Sequence, residues 1–497
     1  MSHWTLDAIK AVIGGTWLAR PESPPGPVHG ACVDSRACGP GQVFFALRGE
    51  RADGHSFLPD AAAAGAALAV VTSPEALPEG WRARIGPMAV LHTPDSGAAL
   101  LRLAAAHRRR LDSTRVIAVG GSNGKTTTVR LLSAVLGSTL RGSASIKSFN
   151  NAVGVPLTIL GANRSHQYLV CEVGTNAPGE IAPLAQVIAP DLAVITSVGR
   201  EHLEGLATLA GVAAEEASLL GGLVPGGLAV LPAGVEALAG PARKRLAQVA
   251  GATAVTFGFG EDADLRVTDC AHERREGGVC LRFRVNAREW YDVPLAGRHN
   301  ALNATAALAV ARRLGVAPDA AREGLRRVEP AELRMQVARV PVLGGRVEVF
   351  NDAYNANPES MLAALETFAE LAGGSTRRVA ILGDMLELGD AAPDLHREIG
   401  EAIAAGDRAD LVVTVGPLAG FIAERLSRSW PAERIVPIED PAHAPSAARL
   451  LRAGDAVLLK GSRRMALERV AAALAADAPT RPAGAKGPAP TPATPLP

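Results

Sequence analysis

The feature that most constrains the fold is the stretch VIAVGGSNGKTTTVRLL, residues 116–132. An apolar, β-branched run breaks into glycines, Lys125 and three threonines and then resumes as an amphipathic pattern, which predicts a strand, a loop and a helix. In such a loop several backbone N–H groups point inward, the helix start contributes the positive end of its dipole, and Lys125 contributes a full charge. We therefore predict a phosphate-binding loop.

The loop departs slightly from the usual G-x-x-x-x-G-K-[ST] spacing, because Val119 stands where the first glycine would be. A glycine turn with an incidental lysine is the alternative interpretation. The strand before the loop and the helix after it are the context that the motif requires, and they favour nucleotide binding.

Composition and charge limit the class of protein. At 497 residues the chain is long enough for about three domains of roughly 150 residues each. Hydrophobic residues make up 48% and charged residues 20%, as in ordinary globular proteins. A formal net charge of +1 provides no basic field for nucleic acid or an anionic membrane, so we expect no nucleic-acid partner.

The cysteines and the N-terminus indicate a compartment. The five cysteines form an odd set without a C-x-x-C pair, which argues against a disulfide framework and a zinc site and fits a reducing compartment. Asp7 stands where a signal peptide would be basic, and no apolar stretch approaches the roughly 18 residues of a membrane span. We expect a soluble, cytoplasmic monomer.

The chain divides into three α/β segments and a tail. Residues 1–112 contain short apolar runs and end in a helical pattern, and residues 113–330 alternate strand-like runs with helices, which is typical of a mostly parallel sheet. Residues 264–295 predict a small antiparallel appendage. The α/β rhythm restarts over 331–474, and the Pro- and Ala-rich residues 475–497 predict a disordered tail.

Side chains that could hold Mg²⁺ follow the predicted strands. Thr126 comes directly after the loop lysine, and Glu172 ends an apolar strand, where a cation would offset the cost of burying a carboxylate. His202 and Glu204 follow another buried strand, so we expect them to face the same cleft. A solvated strand tip for Glu172 and a structural role for His202 are the alternatives.

Two groups of polar residues stand near helix starts. Asn300 and Asn303 lie three residues apart, and their amides can donate and accept as the edge of an adenine requires. A cap at Asn300 and an exposed Asn303 are the alternative, and on local sequence the better one.

Asn357 has the same ambiguity, because it can cap the helix that follows. Capping does not explain Asp352, Tyr354 and Asn355, which are crowded at the end of a strand, where α/β proteins bind ligands.

Four motifs, GSNGKTTT, EHLEG, GRHNALNATAA and KGSRRMALE, resemble those of the Mur ligases, the ATP-dependent amide-forming enzymes of peptidoglycan precursor synthesis. The resemblance covers nearly all of residues 28–470. It implies an α/β fold of three domains, with a central P-loop-type, mostly parallel sheet and a Rossmann-like C-terminal domain. Within the family, SFNNAVGVPLTIL, DAYNANPESM and GDMLELG look most like the member that adds D-alanyl-D-alanine to UDP-N-acetylmuramoyl-tripeptide, and the D-N-P-R sequence of the diaminopimelate-adding relative is absent.

The resemblance implies ATP and Mg²⁺ as cofactors and those two molecules as substrates. ATP would phosphorylate the terminal carboxylate of the tripeptide, and the amine of the dipeptide would attack the acyl phosphate to give an amide and phosphate. Such catalysis depends mostly on placement and charge neutralisation.

The resemblance also implies roles for the nucleotide-binding residues. The phosphate loop is matched by Gly121, Ser122, Asn123, Gly124, Lys125, Thr126 and Thr127. Thr126 and Glu172 match one Mg²⁺ site, and His202 matches a second. The adenine contacts are matched by Asn300 and Asn303, the ribose contact by Asp352, and the linker arginine that approaches the phosphates by Arg334.

Substrate contacts are implied in three places. The motifs VDSR and ADGH, with Ser35, Arg36, Asp53 and His55, match the N-terminal domain that binds the UDP end. Asn150 and Asn151 belong to the motif SFNN, and Tyr354, Asn355 and Asn357 would lie beside the incoming dipeptide.

The chain departs from the family pattern at three positions. Leu333 stands where a glycine is common, and LPAGV at 231–235 stands where relatives often have Asn-Ala-Asp, which puts nucleotide contacts there in doubt. Mur ligases commonly carry a lysine 14 positions after the residue matched by His202, carbamylated by CO₂ into an anion beside the second Mg²⁺. Glu216 occupies that position, and we hypothesise that its carboxylate replaces the carbamate and removes any need for bicarbonate. Solvent exposure of Glu216 on a helix is the alternative.

Other functions remain open. Another ligase of the superfamily, such as one extending folate or polymerising amino acids, would keep the loop and HNALNA but should not need a UDP-binding N-terminal domain, so the stretch VDSRACGPGQVFFALRGERADGHSF disfavours it. Another amino-acid-adding step of the family is a further alternative. A non-enzymatic ATP-binding scaffold should have lost Lys125 or the metal ligands, which are all present.

Overall fold

The computed structural model describes residues 4–22, 26–49, 52–146, 148–275 and 278–476. These residues form three sheets with helices packed on them, so the predicted α/β class is confirmed. No helix in these ranges is long and apolar enough to cross a membrane.

The first sheet lies in the N-terminal region. Its strands are β1 (Thr16–Ala19), β2 (Ala31–Cys32), β3 (Val43–Phe45), β4 (Leu68–Val71) and β5 (Ala89–His92), and its helices are α1 (Leu6–Ile13), α2 (Leu58–Ala63), α3 (Trp81–Arg84) and α4 (Ser96–Arg108). The strand order is β1-β5-β4-β3-β2, in which β1 alone pairs antiparallel.

Cys32 and Cys38 form a disulfide, so the expectation of reduced cysteines is wrong at this position. The intervening turn brings the two Cα atoms to 5.5 Å, within the range of about 4.4–6.8 Å that disulfides span. A pair six residues apart is not a pattern that sequence reasoning recognises. Cys171, Cys270 and Cys280 are free.

The second sheet carries the phosphate loop. Its strands are β6 (Arg115–Gly120), β7 (Gly142–Ala144), β8 (Tyr168–Glu172), β9 (Leu192–Ile195), β10 (Leu228–Pro232), β11 (Thr253–Gly258), β12 (Leu265–Arg275), β13 (Gly278–Val285) and β14 (Glu289–Val293). Its helices are α5 (Lys125–Leu136), α6 (Gly154–Leu160), α7 (Ile181–Ile188), α8 (Leu203–Leu206), α9 (Leu209–Ala217), α10 (Glu236–Leu246), α11 (His299–Arg313) and α12 (Pro318–Arg326).

The strand order of this sheet is β14-β13-β12-β11-β10-β9-β6-β8-β7. Strands β6 to β12 pair in parallel, and β12, β13 and β14 pair antiparallel, which confirms the predicted appendage. The chain runs from β8 across β6 to β9, so β6 lies at the reversal of strand order, where ligands bind in open α/β sheets.

Both faces of the central strands are covered. On β6, Val116 and Ala118 face one apolar cluster, and Ile117 and Val119 face another. The first cluster continues into α4 through Leu100 and Leu103, so it joins the N-terminal region to the central sheet. Burial on both faces explains why the strands read as continuous apolar runs.

The third sheet lies in the C-terminal region. Its strands are β15 (Gln336–Val342), β16 (Gly345–Asn351), β17 (Arg377–Gly383), β18 (Leu411–Val415), β19 (Ile435–Ile438) and β20 (Asp455–Lys460), and its helices are α13 (Pro358–Leu371), α14 (Ala392–Ala405), α15 (Gly420–Leu426) and α16 (Glu468–Ala476). The order is β15-β16-β20-β17-β18-β19, with β15 antiparallel to β16.

Two differences from the sequence prediction concern the C-terminal region. The edge strands β15 and β19 were not predicted, because each contains a proline and β15 also carries an exposed arginine. Helix α16 ends at Ala476, so residues 475 and 476 belong to it and not to the predicted tail. Residues 477–497, the rest of that tail, lie outside the described residues, and the predicted domain bounds stay predictions.

Candidate active site

The phosphate loop connects the carboxyl end of β6 to the start of α5. Gly121 and Gly124 have φ angles of 114° and 89°, in the left-handed region. A side chain at Gly121 would collide with Thr196, and one at Gly124 would collide with the amide of Asn303. Only glycine meets both the conformational and the steric requirement.

Lys125 lies at the centre of the loop's electrostatics. Its ammonium donates hydrogen bonds to the carbonyls of Gly121 and Ser122, the latter at 3.1 Å. Burial opposes the charged form, but the carboxylates of Glu201, Glu216 and Glu172 outweigh it and raise the pKa of Lys125. Lys125 is therefore a cation stabilised by acidic side chains around the loop, of which Glu201 lies nearest, at 3.8 Å.

Glu172 and Thr126 form a place that a divalent cation fits. Glu172 ends β8, is buried, and accepts a hydrogen bond from Asn150 Nδ2 at 3.1 Å through Oε1. Its Oε2 has no hydrogen-bond partner among the described residues. Burial raises the pKa of Glu172, and Lys125 and Thr126 lower it. A spare buried carboxylate oxygen beside a hydroxyl suits Mg²⁺, which takes hard oxygen ligands.

The acidic and imidazole groups do not form a closed metal cage. Within the described ranges, no three His, Cys, Asp or Glu side chains are placed to hold a metal ion. Mg²⁺ commonly keeps several waters and binds one or two carboxylates together with substrate phosphates. A site with few protein ligands agrees with this coordination.

His202 and Glu201 lie beside the loop on its cavity side. His202 adopts a left-handed conformation (φ 51°), and its Nδ1 is 2.6 Å from Glu387 Oε2, which comes from the C-terminal region. Glu201 is buried, with Oε1 3.8 Å from Lys125 Nζ. Burial raises the pKa of Glu201, and Lys125 and His202 oppose the shift. Glu204, which we expected in the same cleft, is exposed and does not line it.

Glu216 is fully buried on α9, which excludes the solvent-exposed alternative. Its Oε2 accepts a 2.6 Å hydrogen bond from the backbone N–H of Gly121, and Oε1 has no partner among the described residues. Burial raises the pKa of Glu216 to about 7, although Lys125 lowers it. The carboxylate lies behind the loop and does not line the cavity in front of it.

Two cavities are lined by this loop, and a third shares residues with them. The large cavity, about 600 Å³, is lined by parts of all three regions, including Leu101 of α4, the loop, Glu172, His202 and Arg334. The second cavity, about 310 Å³, lies between the loop and the C-terminal region. The third cavity, about 270 Å³, lies between His202 and the segment after β20. Asn355 lines all three, and its side chain has no hydrogen bond in the described part of the chain.

The second cavity contains the residues matched to the nucleoside. Asn300 and Asn303 are buried in the first turns of α11, where Asn300 Nδ2 donates to Ala296 O at 2.7 Å and Asn303 Nδ2 donates to Asn300 Oδ1 at 3.0 Å. Asn300 does not cap the helix, and Asn303 is not exposed, so the alternative for this pair is wrong. Asp352 accepts from Met335 N–H at 3.0 Å and pairs with Lys460 Nζ at 2.7 Å.

Arg334 connects the C-terminal region to the loop. Its Nη2 donates to Thr126 Oγ1 at 3.1 Å, and its guanidinium lies 4.1 Å from the centre of the Tyr354 ring. The preceding Leu333 has φ 58°, a left-handed conformation that glycine would adopt without strain. The backbone at Leu333 thus directs Arg334 toward Thr126 of the loop.

Asn357 has a structural role that the sequence allowed. Its Oδ1 accepts from Ser360 N–H at 2.9 Å, which caps α13. The same amide pairs reciprocally with Asn123 of the loop, at 3.0 and 3.3 Å. Asn357 thus fastens α13 to the loop while lining the third cavity.

Asn150 and Asn151 line the large cavity together with Ser148. Asn151 Oδ1 accepts from the N–H groups of Val153 and Gly154 at the start of α6, at 3.1 and 3.0 Å. Ser148 Oγ lies 2.6 Å from the Tyr354 hydroxyl, a second contact between the central and C-terminal regions.

The residues matched to UDP binding lie apart from these cavities. Ser35 is buried, and Arg36 is exposed and holds the pKa of Asp34 at about 2 through their hydrogen bonds. His55 is buried, with Nδ1 2.6 Å from Asp53 Oδ1 and Nε2 accepting from Thr72 N–H at 3.0 Å. None of Ser35, Arg36, Asp53 and His55 lines the three cavities.

Sequence reasoning missed several residues of the site. Glu201 and Lys460 stand within the quoted motifs EHLEG and KGSRRMALE but received no role, and Glu387 stands in GDMLELG. Glu201 could have been found from the sequence, because it is an acidic residue that directly precedes the candidate ligand His202 after a buried strand. The segment LPAGV lines a separate groove and none of the three cavities.

Comparison with known proteins agrees with this arrangement. Three family models match: the Mur ligase family catalytic domain over residues 27–109, the Mur ligase middle domain over 119–311, and the Mur ligase glutamate ligase domain over 333–463. The chain belongs to the Mur ligase family.

Similar proteins carry one activity in their names. UDP-N-acetylmuramoyl-tripeptide--D-alanyl-D-alanine ligase of Bacillus subtilis is 35% identical, covering 94% of this chain and 97% of the relative, and the Escherichia coli enzyme of the same name is 32% identical over 89% and 92%. A crystal structure of MurF from Acinetobacter baumannii has a TM-score of 0.80 at 27% identity, covering 96% of this chain and 99% of its own. MurF from Thermotoga maritima, in complex with ADP, has a TM-score of 0.73 at 26% identity, covering 90% and 98%.

Proposed function

We propose that this chain is an ATP- and Mg²⁺-dependent ligase that joins D-alanyl-D-alanine to UDP-N-acetylmuramoyl-tripeptide, in the cytoplasmic stage of peptidoglycan precursor synthesis. The names of the similar proteins support the reaction. The observation that carries the proposal is that three cavities share Asn355, with Arg334 lining two of them and Lys125 lining the large one. A ligase needs adjoining spaces for a nucleotide, an acyl acceptor and an amine.

The nucleotide would occupy the second cavity and the loop. Asn300 and Asn303 would contact adenine and Asp352 the ribose. The N–H groups of residues 121–127, with Lys125 and Arg334, would hold the phosphates. One Mg²⁺ at Thr126 and Glu172, and a second at His202, each with phosphate oxygens, would neutralise charge during phosphoryl transfer.

The tripeptide would enter the large cavity from the N-terminal region. Ser35, Arg36, Asp53 and His55 belong to the part of the chain proposed to bind its UDP end, directly or by shaping the turns that do. Asn150 and Asn151 would flank its terminal carboxylate. The γ-phosphoryl group would pass from ATP to that carboxylate, with cleavage of the β–γ phosphoanhydride bond and release of ADP, so that phosphate is the leaving group of the next step.

The dipeptide would approach from the third cavity, past Tyr354, Asn355 and Asn357. Its amine attacks the acyl carbon, the bond to phosphate breaks, and the amine proton is released. Lys125 and Arg334 stabilise the charge that develops on the phosphate side.

Glu216 is proposed as a positioning residue of this reaction. From behind the loop its carboxylate can supply the negative charge of the missing carbamate only through Gly121 and Lys125, because it has no surface in the cavity.

Incubation of the purified chain with ATP, UDP-N-acetylmuramoyl-tripeptide and D-alanyl-D-alanine, followed by mass spectrometry, tests the proposal. We expect the amide product and ADP in equal amounts. Parallel reactions with single amino acids and with folate plus glutamate cover the other ligases of the superfamily. Product in those reactions, and none with the dipeptide, would overturn the assignment.

A further inference from the structure

Side chains of both charges line the third cavity. Glu201, His202 and Glu387 are among them, and Glu387 lies 2.6 Å from His202. Arg463 and Arg464, from the turn that follows β20, also line it. No ion pair within 4.0 Å joins the arginines to these carboxylates in the described residues, so the two charged groups remain separate.

The two arginines are not equivalent. Arg463 Nη1 pairs with Glu468 Oε1 at 2.8 Å, at the start of α16. Arg464 is exposed and has neither an ion pair nor a hydrogen bond among the described residues. Its guanidinium therefore has donors available to a bound anion.

The base of this turn is rigid. Ser462 is buried, and its Oγ accepts from Leu386 N–H at 2.9 Å, while its N–H donates to Asp384 O at 2.9 Å. Lys460, at the end of β20, is buried and holds Asp352 and the carbonyl of Asn355. The arginines thus project from a fixed backbone, as a specific site requires.

We propose that Arg464 binds the carboxylate of the incoming dipeptide, whose amine points toward Glu201 and His202. The inference rests on the proposed function and assigns one substrate end to one side chain. A zwitterion with an ammonium at one end and a carboxylate at the other matches the charges of the cavity. The volume of about 270 Å³ lies just below the roughly 300–1,000 Å³ of sites for drug-sized ligands, which suits a molecule as small as a dipeptide of two alanines.

The orientation has a chemical consequence. The cavity shares Glu201, His202 and Asn355 with the large cavity, where the acyl phosphate would form. An amine at that end reaches the acyl carbon, whereas a carboxylate there would meet Glu201 and be repelled. Arg464 would therefore select molecules that carry a free carboxylate one dipeptide length from their amine.

The test compares D-alanyl-D-alanine with D-alanyl-D-alaninamide, which lacks the carboxylate, as substrates of the full chain. The parent should prefer the dipeptide by about 10- to 100-fold in kcat/KM, the worth of a hydrogen bond to a charged group. In Arg464→Gln the KM for the dipeptide should rise by a similar factor, and the preference should vanish. Arg464→Lys should recover part of it, and the KM values for ATP and the UDP substrate should not change.

Arg449→Gln, at an exposed arginine of the same region outside the cavity, is the matched control and should behave as the parent. Arg464→Gln that retains the parent's preference, or loss of preference in Arg463→Gln alone, would overturn the assignment. A parent enzyme that uses the amide as well as the dipeptide would overturn it too, with the proposed function intact. Absence of any dipeptide-dependent product would instead refute the proposed function.

Discussion

The two sides of the phosphate loop carry buried carboxylates in contrasting surroundings. On the front, which faces the large cavity, Glu172 has an unpartnered oxygen and Glu201 lies 3.8 Å from Lys125. On the back, Glu216 is bonded to the N–H of Gly121 and has no surface in the cavity. All three raise the pKa of Lys125. The charge of these carboxylates therefore does not show which of them can bind a metal ion and which only stabilises the loop. Their access to the large cavity does.

The largest expected effect comes from removing the cation that both sides share. Lys125→Ala leaves three buried carboxylates without their counter-charge and removes a phosphate contact, so we expect product formation to fall by about 10³-fold or more. Single-turnover ADP release measures this loss. Lys244→Ala, at an exposed lysine outside the three cavities, should match the parent. Activity within tenfold of the parent in Lys125→Ala would show that Lys125 does not serve the reaction.

Glu172→Gln tests the front alone. Neutralising the spare oxygen should lower activity by about 10²- to 10³-fold at limiting Mg²⁺, because that oxygen faces the proposed cation. Higher Mg²⁺ should recover part of the loss, and direct titration with Mn²⁺ and ADP should show weaker metal binding. Unchanged Mn²⁺ affinity would remove Glu172 from the proposed metal site.

This contrast marks how far the sequence can predict the site. The loop, Glu172 and the paired asparagines of α11 are local motifs, and their positions follow from the order of strands around β6. The side of the loop on which Glu216 lies depends on how α9 packs, which a spacing of 14 residues does not reveal. Glu387 and Arg464 stand in the quoted motifs GDMLELG and KGSRRMALE, but these loops belong to another sheet, so their position at the third cavity does not follow from local spacing.

The strands, too, fall into those that local sequence predicts and those that it does not. The parallel strands were predicted because burial on both faces produces continuous apolar runs, whereas β15 and β19 lie at edges with mixed exposure. The disulfide between Cys32 and Cys38 depends on the turn between them, which composition does not report.

The pH dependence of stability tests the back of the loop. The pKa of Glu216 is about 7 in the folded protein and 4.5 as the ordinary value, so between these the folded chain keeps a proton that the unfolded chain has released. The free energy of unfolding should therefore fall as pH rises through this window, by about 3 kcal/mol at most. Denaturant titrations from about pH 4.5 to 8 should show a smaller fall in Glu216→Gln. Parallel curves for the two proteins would indicate that Glu216 is ionised throughout.

The smallest expected effect is the loss of activity in Glu216→Gln, which shows whether Glu216 stabilises the loop or binds the metal ion. Glu216→Gln keeps an oxygen that can accept from Gly121 but removes the charge that acts on Lys125, so we expect activity to fall by at least about tenfold, roughly 1.4 kcal/mol. Because the carboxylate lies behind the loop, the loss should be the same at every Mg²⁺ concentration, unlike that of Glu172→Gln. Activity of the parent should not change when bicarbonate and CO₂ are removed.

Glu215→Gln is the matched control, since Glu215 is the preceding residue of α9 but accepts from the N–H groups of Gly179 and Ile181, at 2.8 Å each. It should change stability without changing the KM for ATP. If Glu216→Gln works as well as the parent at low Mg²⁺, the charge of Glu216 has no part in the reaction. If added Mg²⁺ instead restores the activity of Glu216→Gln, the carboxylate of Glu216 must reach the metal during the reaction. The separation of Glu216 from the front of the loop would then not hold in the working enzyme.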